Sequence, residues 1–268
     1  KIAMIDLELN SSTDLKREGK SFYWASFFLP KSSKKNAGIL YSICRYFDDI
    51  ADMHSEDQTN YLKDTIEEIK KNKNNKVNVF LQKSEISNLI FIDLIEGLIL
   101  DQQKIRIQNK EELIKYSYHV AGTVGLMMSK IIGVKHEKAM QSAIDLGIGM
   151  QLTNIARDVY EDSKMKRIYL PANWIPNISL KNLTDLHDNS SENDKRISNA
   201  IHEVIGLSDK FYETREERIK LLGVDQAKQI EKRIFLQSID INWKSHIQYL
   251  EQLRQVIGLR SYGQRDPL

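Results

Sequence analysis

The sequence predicts a nearly all-helical protein, on three observations. Only 4 prolines are spread over 268 residues. No stretch shows a convincing period-two alternation, and apolar residues recur along most of the chain at the three- and four-residue spacing of one helix face.

Residues 1 to 20 are polar and belong to no clear element. The aromatic stretch SFYWASFFLP closes at Pro30, and KSSKK (Lys31 to Lys35) reads as a basic turn leading into a helix with Leu40, Ile43, Cys44, Phe47 and Ile50. A second helix is expected from about Gln58 to Lys71, then a low-complexity surface loop, KKNKNNKVN (Lys70 to Asn78). Helical periodicity returns from Ile86 to Leu100. Between Glu111 and Gly133 the pattern carries Ala121, Gly122 and Gly125, and glycine inside a helix costs about 1 kcal/mol relative to alanine, so close helix packing is expected there. A further helix is expected from Glu137 to about Ser163. Residues 173 to 195 read as a polar connection containing Pro176, and two more amphipathic helices follow.

A net charge of +2 argues against nucleic acid as a partner. The single cysteine, Cys44, cannot form an internal disulfide and reads as a buried structural thiol in a reducing compartment. No apolar run reaches the roughly 18 to 20 residues of a membrane span, and no signal peptide is visible. The chain opens on Lys1 instead of Met, as a fragment would.

Two acid clusters carry the chemistry: DDIAD (Asp48 to Asp52) and NIARDVYED (Asn154 to Asp162). Asp48 and Asp52 are one helical turn apart, and Asn154, Asp158 and Asp162 repeat that step twice, so each set shares a helix face. Like charges at this spacing cost a helix a few tenths of a kcal/mol, and more beside an apolar cavity, so a cation should sit between them. Mg²⁺ suits hard oxygen ligands and is usually held by one or two carboxylates plus substrate phosphates. Arg45 and Arg157 stand beside the clusters and could grip diphosphate oxygens bidentately. A single DxxxD is ordinarily a solvated acidic face. Two of them, each beside an arginine and flanked by apolar residues, point instead to a magnesium-diphosphate site.

SFYWASFFLP, YSICRYFDDIAD, DLIEGLILDQ, YSYHVAGTVGLMM and DLGIGMQLTNIARDVYEDSKMKRIYLP follow one another between about residues 20 and 175. In these motifs the chain resembles the head-to-head prenyl synthases, the squalene and phytoene synthase family, with wording closest to the bacterial phytoene synthases. The resemblance implies an all-α isoprenoid-synthase bundle around a central cavity. It implies Mg²⁺-dependent joining of two geranylgeranyl diphosphates to phytoene through a cyclopropylcarbinyl diphosphate, with Mn²⁺ as an alternative ion and no NADPH. By the same resemblance Asp48, Asp52, Asp158 and Asp162 are catalytic and, with Asn154, hold the metals. Ser21, Phe22, Tyr41, Arg45, Gln151 and Arg157 would contact substrate or line its pocket, and Lys166 and Arg167 would form a covering flap. Phe22, Phe47 and Tyr118 are candidate cavity aromatics, with core packing as the alternative. His119, beside the glycines, could orient a diphosphate or accept a proton, with a structural role as the alternative.

The end of the chain departs from that pattern. Gln229 to Leu268 resembles a segment of the helical scaffold of SecA, the preprotein translocase ATPase, and the changeover lies near SDKFYETREER (Ser208 to Arg218). The expectation is a chimera: a synthase-like domain over residues 1 to 212 and a SecA-like amphipathic tail over 213 to 268. Arg254, Arg260 and Arg265 of that tail read as surface charge. The alternatives are a squalene-type synthase using farnesyl diphosphate, or a catalytically impaired chimera acting as a helical interaction module. The expected partner is a prenyl diphosphate, in the cytoplasm, with peripheral contact to the inner membrane because a C40 hydrocarbon must leave into lipid. Oligomeric state is left open.

Overall fold

The computed structural model describes residues 26–53, 55–102, 106–185 and 191–220. Ser21, Phe22, the first twenty residues and the SecA-like stretch from Gln229 lie outside the described residues. The chain divides into two compact units, Lys1–Arg218 and Ile219–Leu268, and the site residues with a described position all belong to the first.

All regular elements among the described residues are helical, with one isolated parallel bridge, Arg106 to Ile168. After a short 3₁₀ turn (Ser26–Phe28), α1 runs Lys31–Asp52 and buries Leu40, Ile43, Phe47, Ile50 and Ala51. Lys31 to Lys35, expected as a turn, form its first turns: Pro30 stands at the N-cap, where its fixed φ suits helix entry. Phe47 is fully buried and meets the edge of Phe91 with ring centroids 5.5 Å apart, the core-packing alternative.

α2 (Glu56–Lys70) is capped by Ser55, which accepts from the Gln58 amide. The expected loop at Lys70 to Asn78 is shorter than its composition suggests. Asn75 caps a new helix, α3 (Lys76–Lys83), through the Asn78 amide at 2.8 Å, and Val77 and Asn78 are buried. One apolar residue and one cap start a helix inside a polar run.

α4 (Asn88–Gln102) is apolar on nearly every side, as a central helix must be, and buries Phe91, Ile92, Leu94, Ile95 and Leu98. α5 (Lys110–Ser117) passes into α6 (Thr123–Ile131) through one π-helical turn, Tyr118–Gly122. π turns of this kind occur frequently at functional sites. Here His119 meets the Asp93 carbonyl through Nδ1 at 2.8 Å, and the Tyr118 hydroxyl donates to the Asp93 carboxylate at 3.1 Å. The expected close packing is present: a Cβ on Gly125 would strike the Ala143 carbonyl, and one on Gly147 the Ala121 carbonyl.

The helix expected from Glu137 to Ser163 is two. α7 (Glu137–Arg157) ends at Asp158, whose φ of −101° and ψ of 15° leave the helical region, and α8 (Val159–Lys164) begins from it. The 173 to 195 connection is not wholly polar in role: Ile175, Ile178 and Leu183 are buried, and Leu183 sits in a short helix, α9 (Leu180–Thr184). The described part of the following region is a single long helix, α10 (Glu192–Lys220), which runs through residue 212 without a break. It docks on α7: Ser208 donates to the Gly149 carbonyl at 2.8 Å, and Arg218 pairs with the buried Asp145.

Candidate active site

α1 brings Asp48, Asp49 and Asp52 to its last turn, with no basic residue there. That is the negative pole of the helix, where acids are disfavoured. Arg45, one turn earlier, relieves this partly, reaching Asp48 at 3.2 Å and Asp49 at 2.8 Å. Burial, then the charge of Asp52, still lifts the Asp48 carboxyl to about 6, with Arg45 opposing.

The second cluster has a different local logic. Asp158 and Asp162 lie at the N-terminal end of α8, where negative charge is favoured. Arg157 grips Asp158 bidentately, Nε to Oδ1 and Nη2 to Oδ2, both at 2.6 Å, and holds its carboxyl below the usual range. Asp162 is lifted to about 6 by burial and then by the charge of Asp158, against the pull of Arg167.

Asp101, the penultimate residue of α4, joins the two sets. Its carboxylate accepts from the Tyr116 hydroxyl at 2.9 and 3.0 Å and from the Tyr169 hydroxyl at 2.9 Å. The two rings stack with centroids 5.1 Å apart. Burial raises its pKa, the two hydroxyls and Arg167 lower it, and the charge of Asp52 raises it. Asp48 and Asp162 both feel Asp101. Arg167, after the left-handed Lys166 (φ 63°), donates to Asp52 at 2.8 Å and ties the second cluster's loop to α1. A strap holds that loop: the Ala172 amide donates to the Ile107 carbonyl at 2.8 Å, and Arg106 to the Leu170 carbonyl at 3.2 Å.

The donors that meet here are hard carboxylate oxygens, and burial disfavours the ionised forms of Asp48, Asp101 and Asp162, so the set fits a divalent cation such as Mg²⁺. Among the described residues no three His, Cys, Asp or Glu converge to hold one ion by themselves. Mg²⁺ commonly completes its shell with phosphate and water.

The family model for squalene/phytoene synthase matches residues 15–255. The chain belongs to the squalene/phytoene synthase family. The match runs past residue 212, where the tail was expected to begin.

Among curated relatives of this family, the chain is 31% identical over 213 residues to the 15-cis-phytoene synthase of Enterobacter agglomerans, covering 72% of this chain and 70% of that one. It is 30% identical over 189 residues to the 15-cis-phytoene synthase of Paracoccus sp., covering 64% and 62%. A 170-residue stretch, 63% of the chain, is 38% identical to the protein translocase subunit SecA of Pelagibacter ubique, of which it covers 16%. The SecA similarity is thus longer than the tail of residues 213 to 268 and overlaps the synthase match. The chain spans less than two thirds of the SecA and Paracoccus proteins. A solved dehydrosqualene synthase superposes with a TM-score of 0.66 at 26% identity, covering 77% of this chain and 75% of that one. A squalene synthase from Alicyclobacillus acidocaldarius shares the fold, with a TM-score of 0.65 at 18% identity, covering 82% and 86%.

Within this synthase fold, Asp48, Asp52, Asp162 and Arg167 interact with Asp101, Arg45 pairs with Asp48, and Asp158, with its partner Arg157, acts on Asp162. Tyr41 lies half-buried on α1, one turn before Arg45, while Gln151 and Asn154 lie half-buried on α7. Lys166 is exposed. Cys44, on the inner side of α1, has its thiol pushed up to about 12 by burial and then by Asp48, as a structural thiol should. No helix of the described residues is long and apolar enough to cross a membrane.

Sequence reasoning missed Asp101, Tyr116 and Tyr169. All three lie inside motifs already singled out, and the available signal was Asp101 itself, an acid closing the apolar run of α4.

Proposed function

We propose that this chain catalyses the Mg²⁺-dependent head-to-head condensation of two geranylgeranyl diphosphates to phytoene through a cyclopropylcarbinyl diphosphate. The observation that carries the reading is the joining of two acid clusters, from α1 and from the α7–α8 break, through Asp101 and Arg167. The relatives named as phytoene synthases support the choice of product.

Asp48, Asp52, Asn154, Asp158 and Asp162 would hold the metal ions, which when bound take up charge on the diphosphate leaving group. Arg45, Arg157 and Arg167 would supply guanidinium groups for the same oxygens, and Tyr41, Gln151 and Lys166 would contact the substrate. As the allylic carbon–oxygen bond breaks, its electron pair leaves with the diphosphate. The remaining allylic cation must meet the double bond of the second substrate before water does, so the bundle has to exclude solvent. The Asp101 carboxylate, held by two tyrosine hydroxyls, would keep its charge beside Asp52 and Arg167.

The test is incubation of the purified chain with labelled geranylgeranyl and, separately, farnesyl diphosphate plus Mg²⁺, followed by extraction of hydrocarbons and assay of released diphosphate. A metal-dependent C40 product is expected. A C30 product from farnesyl diphosphate alone would assign the squalene-type alternative. Prenyl alcohol without coupling would mean ionisation in a leaking pocket, and no turnover would leave an impaired chimera. Asp48→Ala and Asp158→Ala should each abolish turnover; survival of both would overturn the site assignment.

A further inference from the structure

We infer that Gln102 is a positioning residue for the acid cluster: its side-chain amide fixes the last turn of α1 against α4 and so sets where Asp52 stands relative to Asp101. The inference rests on the metal-diphosphate reading above.

Gln102 ends α4, directly after Asp101. Its Nε2 donates to two carbonyls of the last turn of α1, Ile50 at 3.4 Å and Ala51 at 3.3 Å. Its Oε1 accepts from the Thr59 hydroxyl of α2 at 2.6 Å. One half-buried amide therefore joins three helices at the point where Asp52 leaves α1.

The chemistry of that point explains the residue type. The last carbonyls of a helix lack intrahelical partners and form its negative pole. Here that pole also carries Asp48, Asp49 and Asp52. A lysine would supply donors but neutralise the acids that a cation must find. A carboxylate would add to the repulsion. A neutral amide caps the carbonyls and leaves the charge of the cluster intact. Because Asp101 and Gln102 are consecutive, the same turn of α4 presents one acid to Tyr116 and Tyr169 and clamps the backbone beside another.

The test uses the full chain and the Mn²⁺ electron paramagnetic resonance signal, titrated with inorganic diphosphate present, alongside the melting temperature. Gln102→Met keeps length and volume but removes the amide, and should weaken the Mn²⁺ midpoint by about tenfold, the scale of a lost outer-shell partner. Thr59→Val, which removes the hydroxyl shared by Gln102 and the Ser55 carbonyl, should weaken it by less than about tenfold. Asn88→Ala loosens the opposite end of α4, where Asn88 bonds the Ile69 carbonyl at 3.2 Å. It should lower the melting temperature with the midpoint unmoved. Wild-type binding with an unchanged midpoint in Gln102→Met overturns the positioning role and leaves the metal reading standing. If Gln102→Met does not fold, Gln102→Asn, which keeps a neutral amide but withdraws it from the Ile50 and Ala51 carbonyls, takes its place, and an unchanged midpoint there overturns the role equally. Wild-type protein that binds no Mn²⁺ with diphosphate overturns both.

Discussion

Arg167 donates a 2.8 Å charge-assisted hydrogen bond to Asp52, two residues 115 positions apart in the chain. The guanidinium side chain is only 14% exposed while the Asp52 side chain is 51% exposed, so the pair sits at the edge of the site. With the guanidinium mostly buried, this hydrogen bond to a charged group contributes about 1.5 to 3 kcal/mol to stability. It also places a cation beside the carboxylates.

Arg167→Gln should accordingly lower the unfolding free energy by about 1.5 to 3 kcal/mol. Diphosphate release should fall by roughly 100-fold, the scale of losing one preorganised charge-stabilising group. Urea unfolding and a diphosphate-release assay on the same preparation check the pair of outcomes.

Asp48 predicts an inverted pH dependence of stability without metal. Its carboxyl is lifted from 3.8 to about 6 on folding, so between those values the folded chain holds a proton that the unfolded chain has lost. Stability at this group falls as pH rises through that window, and the cost of ionisation is fully present above it. Asp48→Asn should flatten the pH dependence of melting temperature across that window in EDTA, and leave the apo protein at least as stable at neutral pH. Turnover should be lost. Thermal melts across a pH series with and without the substitution measure this.

Tyr116→Phe removes one of the two hydroxyls that hold the Asp101 carboxylate down against its burial. The Asp101 pKa should rise, so the acidic limb of the rate profile should move to higher pH while the alkaline limb stays. Removal of one hydrogen bond to a charged group costs about 1.5 to 3 kcal/mol of stability. A pH–rate profile of the variant beside wild type is the measurement.

Glycine where α7 crosses the π turn can be tested by contrast. Gly147→Ala places a methyl against the Ala121 carbonyl, whereas Gly206→Ala on α10 meets nothing within 4 Å. The first should destabilise by about 1 to 3 kcal/mol through overpacking. The second should stabilise by about 0.5 to 1 kcal/mol, as alanine does in a helix interior. Equal effects would mean the helices can part at no cost.

Relations within a few residues were readable from the chain alone. Spacing placed Asp48 over Asp52 and set Arg45 one turn away, and apolar periodicity gave α1, α2 and α4, because one helical turn couples only neighbours up to four residues apart. The sequence likewise determined the family, through motifs that each lie within one or two turns. Tertiary structure decided the break at Asp158, the start of α3 at Lys76, where Val77 is buried, and the π turn at Tyr118, whose hydroxyl bonds Asp93. It also brought Asp101, Tyr116, Tyr169 and Arg167 together with Asp52. Those residues come from separate elements, and the charges and hydroxyls that tune one another there become neighbours only when helices pack, a relation no periodicity along the chain encodes.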